Sequence, residues 1–95
     1  MKDVNWNNEK SSLLMKERGI SFEMVKYFIE REDYLDILEH PNQEKYPGQR
    51  IFVLEIDDYI YCVPFVESEN EIFLKTIYPS RVLKKEYLKK KEVSG

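Results

Sequence analysis

The stretch of sequence that decides the fold is residues 49–66, QRIFVLEIDDYIYCVPFV. Residues 49–56 and 59–66 are rich in β-branched and aromatic side chains, which favour strands. Only Asp57 and Asp58 separate them, and so short a connection predicts an antiparallel hairpin. Apolar residues occupy both alternating sets of positions in residues 59–66, so we expect both faces of that strand to be covered.

Two further strands are expected on either side of this hairpin. Residues 34–39 predict a short first strand, which turn-forming residues separate from the hairpin. The turn at residues 68–70 leads into a strand over residues 72–78. Pro64 has no amide hydrogen for a sheet ladder, so its strand is predicted to lie at an edge or beside a bulge.

Helices are predicted at both ends of the chain. The side chain of Asn7 is placed to cap a helix over residues 8–18, and Gly19 to end it in a left-handed conformation. Ser21 caps a second helix. Ser80, after Pro79, caps a C-terminal helix.

These elements predict an α+β domain spanning residues 1–95. It has two N-terminal helices, a four-stranded antiparallel meander and one C-terminal helix. Ninety-five residues with 42% apolar composition suffice for one hydrophobic core. We expect the helices to cover one sheet face, and the C-terminal tail or a partner to cover the other.

Composition argues against several classes of protein. One cysteine and one histidine exclude an intramolecular disulfide framework and make a zinc site improbable. No apolar run reaches the roughly 20 residues of a membrane span, and the polar start does not resemble a signal peptide. We therefore expect a cytoplasmic protein that needs no cofactor or metal and does not associate with membranes.

Charge is distributed unevenly along the chain. Residues 75–95 hold seven basic and two acidic residues, whereas residues 1–74 hold eight basic and sixteen acidic residues. A basic segment attracts phosphates or an acidic protein, while the acidic remainder disfavours indiscriminate binding to nucleic acid. The C-terminal part of the chain is thus predicted to face a phosphate-bearing or acidic partner.

Side chains suited to metal-independent RNA cleavage lie near the ends of the predicted strands. Arginine can bind phosphate oxygens with two parallel hydrogen bonds, lysine adds positive charge, and histidine or tyrosine can transfer protons. The candidate catalytic residues are His40, Arg50, Lys75 and Arg81. The candidate RNA-binding residues are Lys45, Tyr46, Tyr78, Lys84 and Lys85. Two of these also have a structural interpretation: Arg50 could pair with Glu39 or Glu55, and His40 could be an ordinary loop residue.

Four segments resemble the BrnT-type toxins of bacterial toxin-antitoxin pairs. WNNEK at residues 6–10 and RGISFE at residues 18–23 are similar to the family's W-x-x-x-K and K-H-G-V-S-F-E. Gln49-Arg50 and Pro79-Ser80-Arg81 match an arginine and an S-A-R element more loosely. The resemblance covers residues 4 to about 88. It implies a RelE-like fold, a ribonuclease activity that blocks translation, and neutralisation by a ribbon-helix-helix antitoxin.

Other functions remain open at the level of sequence. A non-catalytic protein-interaction module with the same fold would keep the architecture without cutting RNA. A poison of DNA gyrase, as in the ParE branch of the same superfamily, is a weaker alternative. Both a homodimer and a hetero-oligomer with an antitoxin are compatible with the chain.

Overall fold

The computed structural model describes residues 2–94, with the backbone alone for residues 88–94. It is an α+β structure with a mixed sheet. In chain order the elements are β1 (Asp3–Trp6), α1 (Asn8–Arg18), α2 (Phe22–Glu30), β2 (Asp36–Glu39), β3 (Arg50–Ile56), β4 (Tyr59–Glu67), β5 (Glu71–Leu74), β6 (Tyr78–Pro79) and α3 (Arg81–Ser94).

Side-chain caps set the helix boundaries, as the sequence predicts. The Asn7 side chain accepts a hydrogen bond from the Lys10 amide, and Gly19 ends α1 with a φ of 69°. The Ser21 hydroxyl accepts from the Met24 amide at the start of α2. The Ser80 hydroxyl accepts from the Leu83 amide at the start of α3. Each cap satisfies an amide that the helix itself leaves free.

The predicted hairpin forms between β3 and β4. Asp57 and Asp58 take φ values of 52° and 61°, the left-handed conformation that a two-residue hairpin turn requires at both positions. The strands then pair from Ile56 and Tyr59 down to Arg50 and Phe65. Residues directly opposite each other in this register share one face of the sheet.

The sheet differs from the predicted four-stranded antiparallel meander. A strand that the sequence analysis did not predict, β1, pairs in parallel with β5 and gives the order β1-β5-β4-β3-β2. The sheet is therefore mixed, and the chain enters it before α1. The prediction of a purely antiparallel sheet is wrong because it considered pairing only between strands adjacent in sequence.

A bulge divides the predicted strand of residues 72–78 into β5 and β6. Leu74 pairs with Phe65, whereas Tyr78 pairs with Cys62. The segment from Leu74 to Tyr78 is therefore one residue longer than the segment of β4 that it faces, as in a β-bulge. Pro64 lies beside this bulge, and its carbonyl accepts a hydrogen bond from the Lys75 amide. β4 itself is an interior strand rather than an edge strand.

The core lies between the sheet and the first two helices. Phe22, Val25 and Ile29 of α2 belong to the same buried cluster as Phe52 and Phe65 of the sheet. On the opposite face, Ile51, Val53, Ile60 and Cys62 are also buried. There α3 contacts β4, and the Tyr87 hydroxyl donates to Asp36 Oδ2 at 3.1 Å. Both faces of the hairpin are therefore covered, as expected, with α3 on the second one.

Candidate functional site

Arg50 takes part in an ion triad at one end of the sheet. Its guanidinium pairs with one oxygen of Glu67, and Lys2 Nζ lies 2.8 Å from the other oxygen. Glu67 lies two residues beyond Phe65, the strand partner of Arg50, and is thus its diagonal neighbour on the same face. The guanidinium carbon also lies 5.3 Å from the centre of the Phe65 ring. The Glu67 carboxylate on β4 thus connects to β3 through Arg50 and to Lys2, the residue before β1.

The triad predicts an acid-sensitive contribution to stability. The hydrogen bond from Lys2, joined by Arg50, lowers the pKa of Glu67 despite partial burial. A lowered pKa stabilises the fold above the ordinary value of about 4.3, and this contribution is lost as pH falls through the folded value. We expect Glu67→Gln to reduce stability at about pH 7 and to flatten the decline toward about pH 3.

Urea unfolding midpoints measured across this pH range test the expectation. Glu69→Gln is the matched control, since Glu69 is an exposed glutamate in the adjacent turn. The same pH dependence in Glu67→Gln and in the wild type would rule out a stabilising triad.

A cleft of about 220 Å³ lies next to the triad, between the end of α2 and the sheet. Its apolar lining consists of Val4, Ile29, Ile37, Phe52, Phe65 and Ile72. Its polar lining consists of Lys2, Glu30, Glu32, Tyr34, Arg50 and Glu67. Arg50 therefore borders a partly apolar cleft rather than an open basic surface.

His40 is held in the loop between β2 and β3. Its Nδ1 accepts a hydrogen bond from the Asn42 amide at 3.1 Å, which requires that nitrogen to be unprotonated. Its ring centre lies 4.4 Å from that of Tyr46, and Lys45 Nζ lies 5.4 Å from the Tyr46 ring. The predicted residues His40, Lys45 and Tyr46 therefore come together. Their contacts organise the loop.

A second set of predicted residues gathers where α3 begins. The Ser80 amide donates a hydrogen bond to the Ile60 carbonyl at 2.9 Å, which places the backbone of Arg81 beside the start of β4. Lys84, one turn further along α3, lies 4.5 Å above the ring of Tyr59. The Tyr59 and Tyr61 rings are 5.7 Å apart. No acidic residue occupies the first turn of α3. The Lys84 ammonium and two half-buried rings thus lie together near the N-terminus of α3, whose first residue is Arg81.

Tyr78 lies on the side of the sheet covered by α3, where it contacts Cys62. Burial raises the pKa of the Cys62 thiol, against the effect of hydrogen bonds to Tyr78 and Ser80. Burial, followed by the proximity of Cys62, likewise raises the pKa of Tyr78. The Tyr78 phenol therefore stays protonated at neutral pH.

The two candidate catalytic arginines, Arg50 and Arg81, lie beside different positions along β4. Arg50 pairs with Phe65, whereas Arg81 follows the residue bonded to Ile60, five positions away along β4. At about 3.3 Å per residue this is about 16 Å. Arg50 is moreover turned toward Glu67, at the end remote from Arg81. The structure thus does not bring the two residues together, and their shared role stays a prediction.

The remaining predicted residues lie apart from both groups or at their margin. Lys75 is exposed and its Nζ lies 5.3 Å from the Phe73 ring. Lys85 is exposed on α3. The predicted long-range attraction by Lys89, Lys90 and Lys91 falls on side chains outside those that the structure describes.

Sequence reasoning did not single out Tyr59, Lys2 or Glu67 as site residues. The signal for Tyr59 was present, because a spacing of two residues from Tyr61 places both rings on one strand face. No local pattern connects Lys2 with Glu67, since they meet only through the parallel pairing of β1. The cleft itself therefore required the three-dimensional structure.

Searches for other classes of site and for relatives gave no match. Among the described residues, no group of three or more histidine, cysteine, aspartate or glutamate side chains is placed to hold a metal ion. No helix in the described part of the chain is long and apolar enough to cross a membrane. The chain matches no protein-family model, no curated protein and no solved structure.

Proposed function

We propose that this chain is the toxin of a type II toxin-antitoxin pair, a metal-independent endoribonuclease of RelE-like fold that inhibits translation. Support comes from the resemblance of residues 6–10 and 18–23 to BrnT-type toxins. The α+β class, with three helices and a mixed sheet, is compatible with the class of fold that the resemblance implies. A ribbon-helix-helix antitoxin is the partner that this proposal requires.

The observation that carries the proposal is the group of side chains at the start of α3. A helix N-terminus favours an anion, and Arg81 and Lys84 add two positive charges there without an acidic residue in the first turn. Tyr59 and Tyr61 offer aromatic faces on which unpaired bases can stack. Phosphate and base recognition would thus lie within one helical turn of each other.

The chemistry assigned to this group needs no cofactor. The ribose 2′-hydroxyl gives its proton to a water molecule, and its oxygen attacks the adjacent phosphorus. The bond from phosphorus to the 5′-oxygen breaks, which leaves a 2′,3′-cyclic phosphate and a 5′-hydroxyl. Arg81 and Lys84 would stabilise the charge that develops on the phosphate oxygens. Tyr78, which is protonated at neutral pH, would supply a proton to the leaving 5′-oxygen.

Purified protein free of antitoxin should cut RNA in the presence of EDTA. Several labelled RNAs, with and without ribosomes, are incubated with the protein, and the fragments are examined for 5′-hydroxyl and cyclic phosphate ends. These ends are expected because the attacking group is the neighbouring 2′-hydroxyl. Intact RNA in every incubation, with a folded protein by circular dichroism, would exclude the activity.

A non-catalytic interaction module is the second candidate, and one observation favours it. Arg50 is engaged by Glu67, and Nδ1 of His40 is engaged by the Asn42 amide, so two predicted catalytic groups already have structural partners. Such a module would bind its partner tightly and leave RNA intact. The EDTA experiment separates the two candidates.

A further inference from the structure

The cleft beside Arg50 has a floor suited to an aromatic or branched apolar group. Phe52 and Phe65 stack with ring centres 4.1 Å apart, and the Tyr34 ring lies 5.2 Å from that of Phe52. The volume of about 220 Å³ falls slightly below that of common ligand pockets. It therefore suits one small molecule with a single apolar side chain.

One side of the cleft carries negative charge that the described part of the protein does not neutralise. Glu30 and Glu32 line it, and the ion pairs recorded among the described residues involve neither of them. Glu30 ends α2 and Glu32 follows its C-cap, Arg31, where the helix dipole is negative. The Arg31 guanidinium lies over the Tyr27 ring, and Arg31 is not among the residues that line the cleft. By contrast, α1 ends with Lys16 and Arg18. This side of the cleft favours a cation.

The backbone conformation of Glu32 makes its position more unusual. Its φ of 55° is left-handed, and after a helix that conformation is commonest for glycine. A glutamate stands there, and its side chain lines the cleft. Glu32 thus adds a second carboxylate to the acidic side of the cleft.

The other side of the cleft carries an excess of positive charge. Lys2 and Arg50 share the single carboxylate of Glu67. The ammonium has three donors and the guanidinium five, so donors remain for a second carboxylate. An occupant with a carboxylate facing these two residues would complete their hydrogen bonding.

We propose that this cleft binds a zwitterionic amphiphile, namely a free α-amino acid with a large apolar side chain. Its ammonium faces Glu30 and Glu32, its carboxylate faces Lys2 and Arg50, and its side chain lies against the partly exposed Tyr34, Ile37 and Ile72. The cleft is remote from the start of α3, so this inference is independent of the proposed ribonuclease activity.

Titration of the ¹⁵N-labelled protein with L-phenylalanine, followed by NMR, tests the proposal. Shifts should concentrate at Ile29, Ile37 and Arg50 and saturate at up to about 10 mM, where a ligand with a Kd of about 1 mM is mostly bound. Phenethylamine lacks the carboxylate and 3-phenylpropionate lacks the ammonium. Each should bind about tenfold or more weakly, since a charge-assisted hydrogen bond is lost.

The variants assign the two charged sides separately. The double variant Glu30→Gln with Glu32→Gln should weaken the binding of phenylalanine about tenfold but leave the binding of 3-phenylpropionate unchanged. Arg50→Gln should weaken the binding of phenylalanine but leave the binding of phenethylamine unchanged. Glu17→Gln on α1 is the control, and it should bind all three ligands as the wild type does. Equal affinity for all three ligands, or no saturable shift at the cleft in the folded protein, would overturn the proposal.

Discussion

Phe65→Ala is expected to lower the free energy of unfolding by about 3–5 kcal/mol. The Phe65 side chain is 1% exposed, stacks on Phe52 at 4.1 Å, and lies in the strand between β3 and β5. Its truncation removes apolar burial and leaves a cavity that interior strands cannot collapse to fill. A domain of this size has a total stability of about 5–14 kcal/mol, so a large fraction of the protein's stability depends on one ring.

Urea unfolding, monitored by circular dichroism at neutral pH, measures this effect. Tyr27→Ala is the control because its ring is 55% exposed on α2, and we expect a loss below about 1 kcal/mol there. A Phe65→Ala loss no larger than that of Tyr27→Ala would mean that the packing between the sheet and the first two helices is not what stabilises the fold.

Local chemistry was sufficient to predict the helices. Asn7 and Ser21 each accept a hydrogen bond from the amide three residues later, and Gly19 takes the left-handed conformation that it was expected to take. These interactions span only a few residues and are therefore visible in the sequence. The α+β class and the central hairpin are confirmed for the same reason, since a two-residue turn leaves few alternatives.

Long-range pairing explains what the sequence did not predict. β1 joins β5 across 68 positions, and although Asp3–Trp6 alternate between polar and apolar residues, four residues are too few to specify a strand or its partner. The bulge between Leu74 and Tyr78 is likewise invisible, because every residue of that segment is compatible with a continuous strand. In both cases the neighbouring strand decides the structure.

Residue types suited to a site were predictable, but their grouping was not. The alternative structural role for Arg50 was an ion pair with Glu39 or Glu55, but its guanidinium pairs with Glu67, its diagonal neighbour on β4. The strand register decides which glutamate lies next to Arg50, and the register depends on the whole sheet. The same register places Arg50 and Arg81 at opposite ends of β4 and leaves the start of α3 as the candidate RNA site.

Arg81→Ala is expected to reduce RNA cleavage about 10²–10³-fold, the typical effect of removing one donor that stabilises transition-state charge. Arg81 begins α3 beside the Ile60 carbonyl contact, one turn from the Lys84 ammonium over Tyr59. Arg81→Lys should recover only part of the rate, because lysine keeps the charge but loses the planar two-donor geometry. The rate is measured with a labelled RNA in EDTA at fixed salt, since phosphate contacts weaken as salt rises.

Two arginine variants make this result specific to the start of α3. Arg31→Ala removes the same side chain from the exposed end of α2, where its guanidinium lies 4.3 Å from the Tyr27 ring, and should cleave at the wild-type rate. Arg50→Ala tests the opposite end of the sheet and should slow cleavage far less than Arg81→Ala. A severe defect in Arg50→Ala with full activity in Arg81→Ala would transfer the catalytic assignment to the cleft end. Equal losses in all three variants would instead indicate that only net charge matters, because a general field does not distinguish one exposed arginine from another.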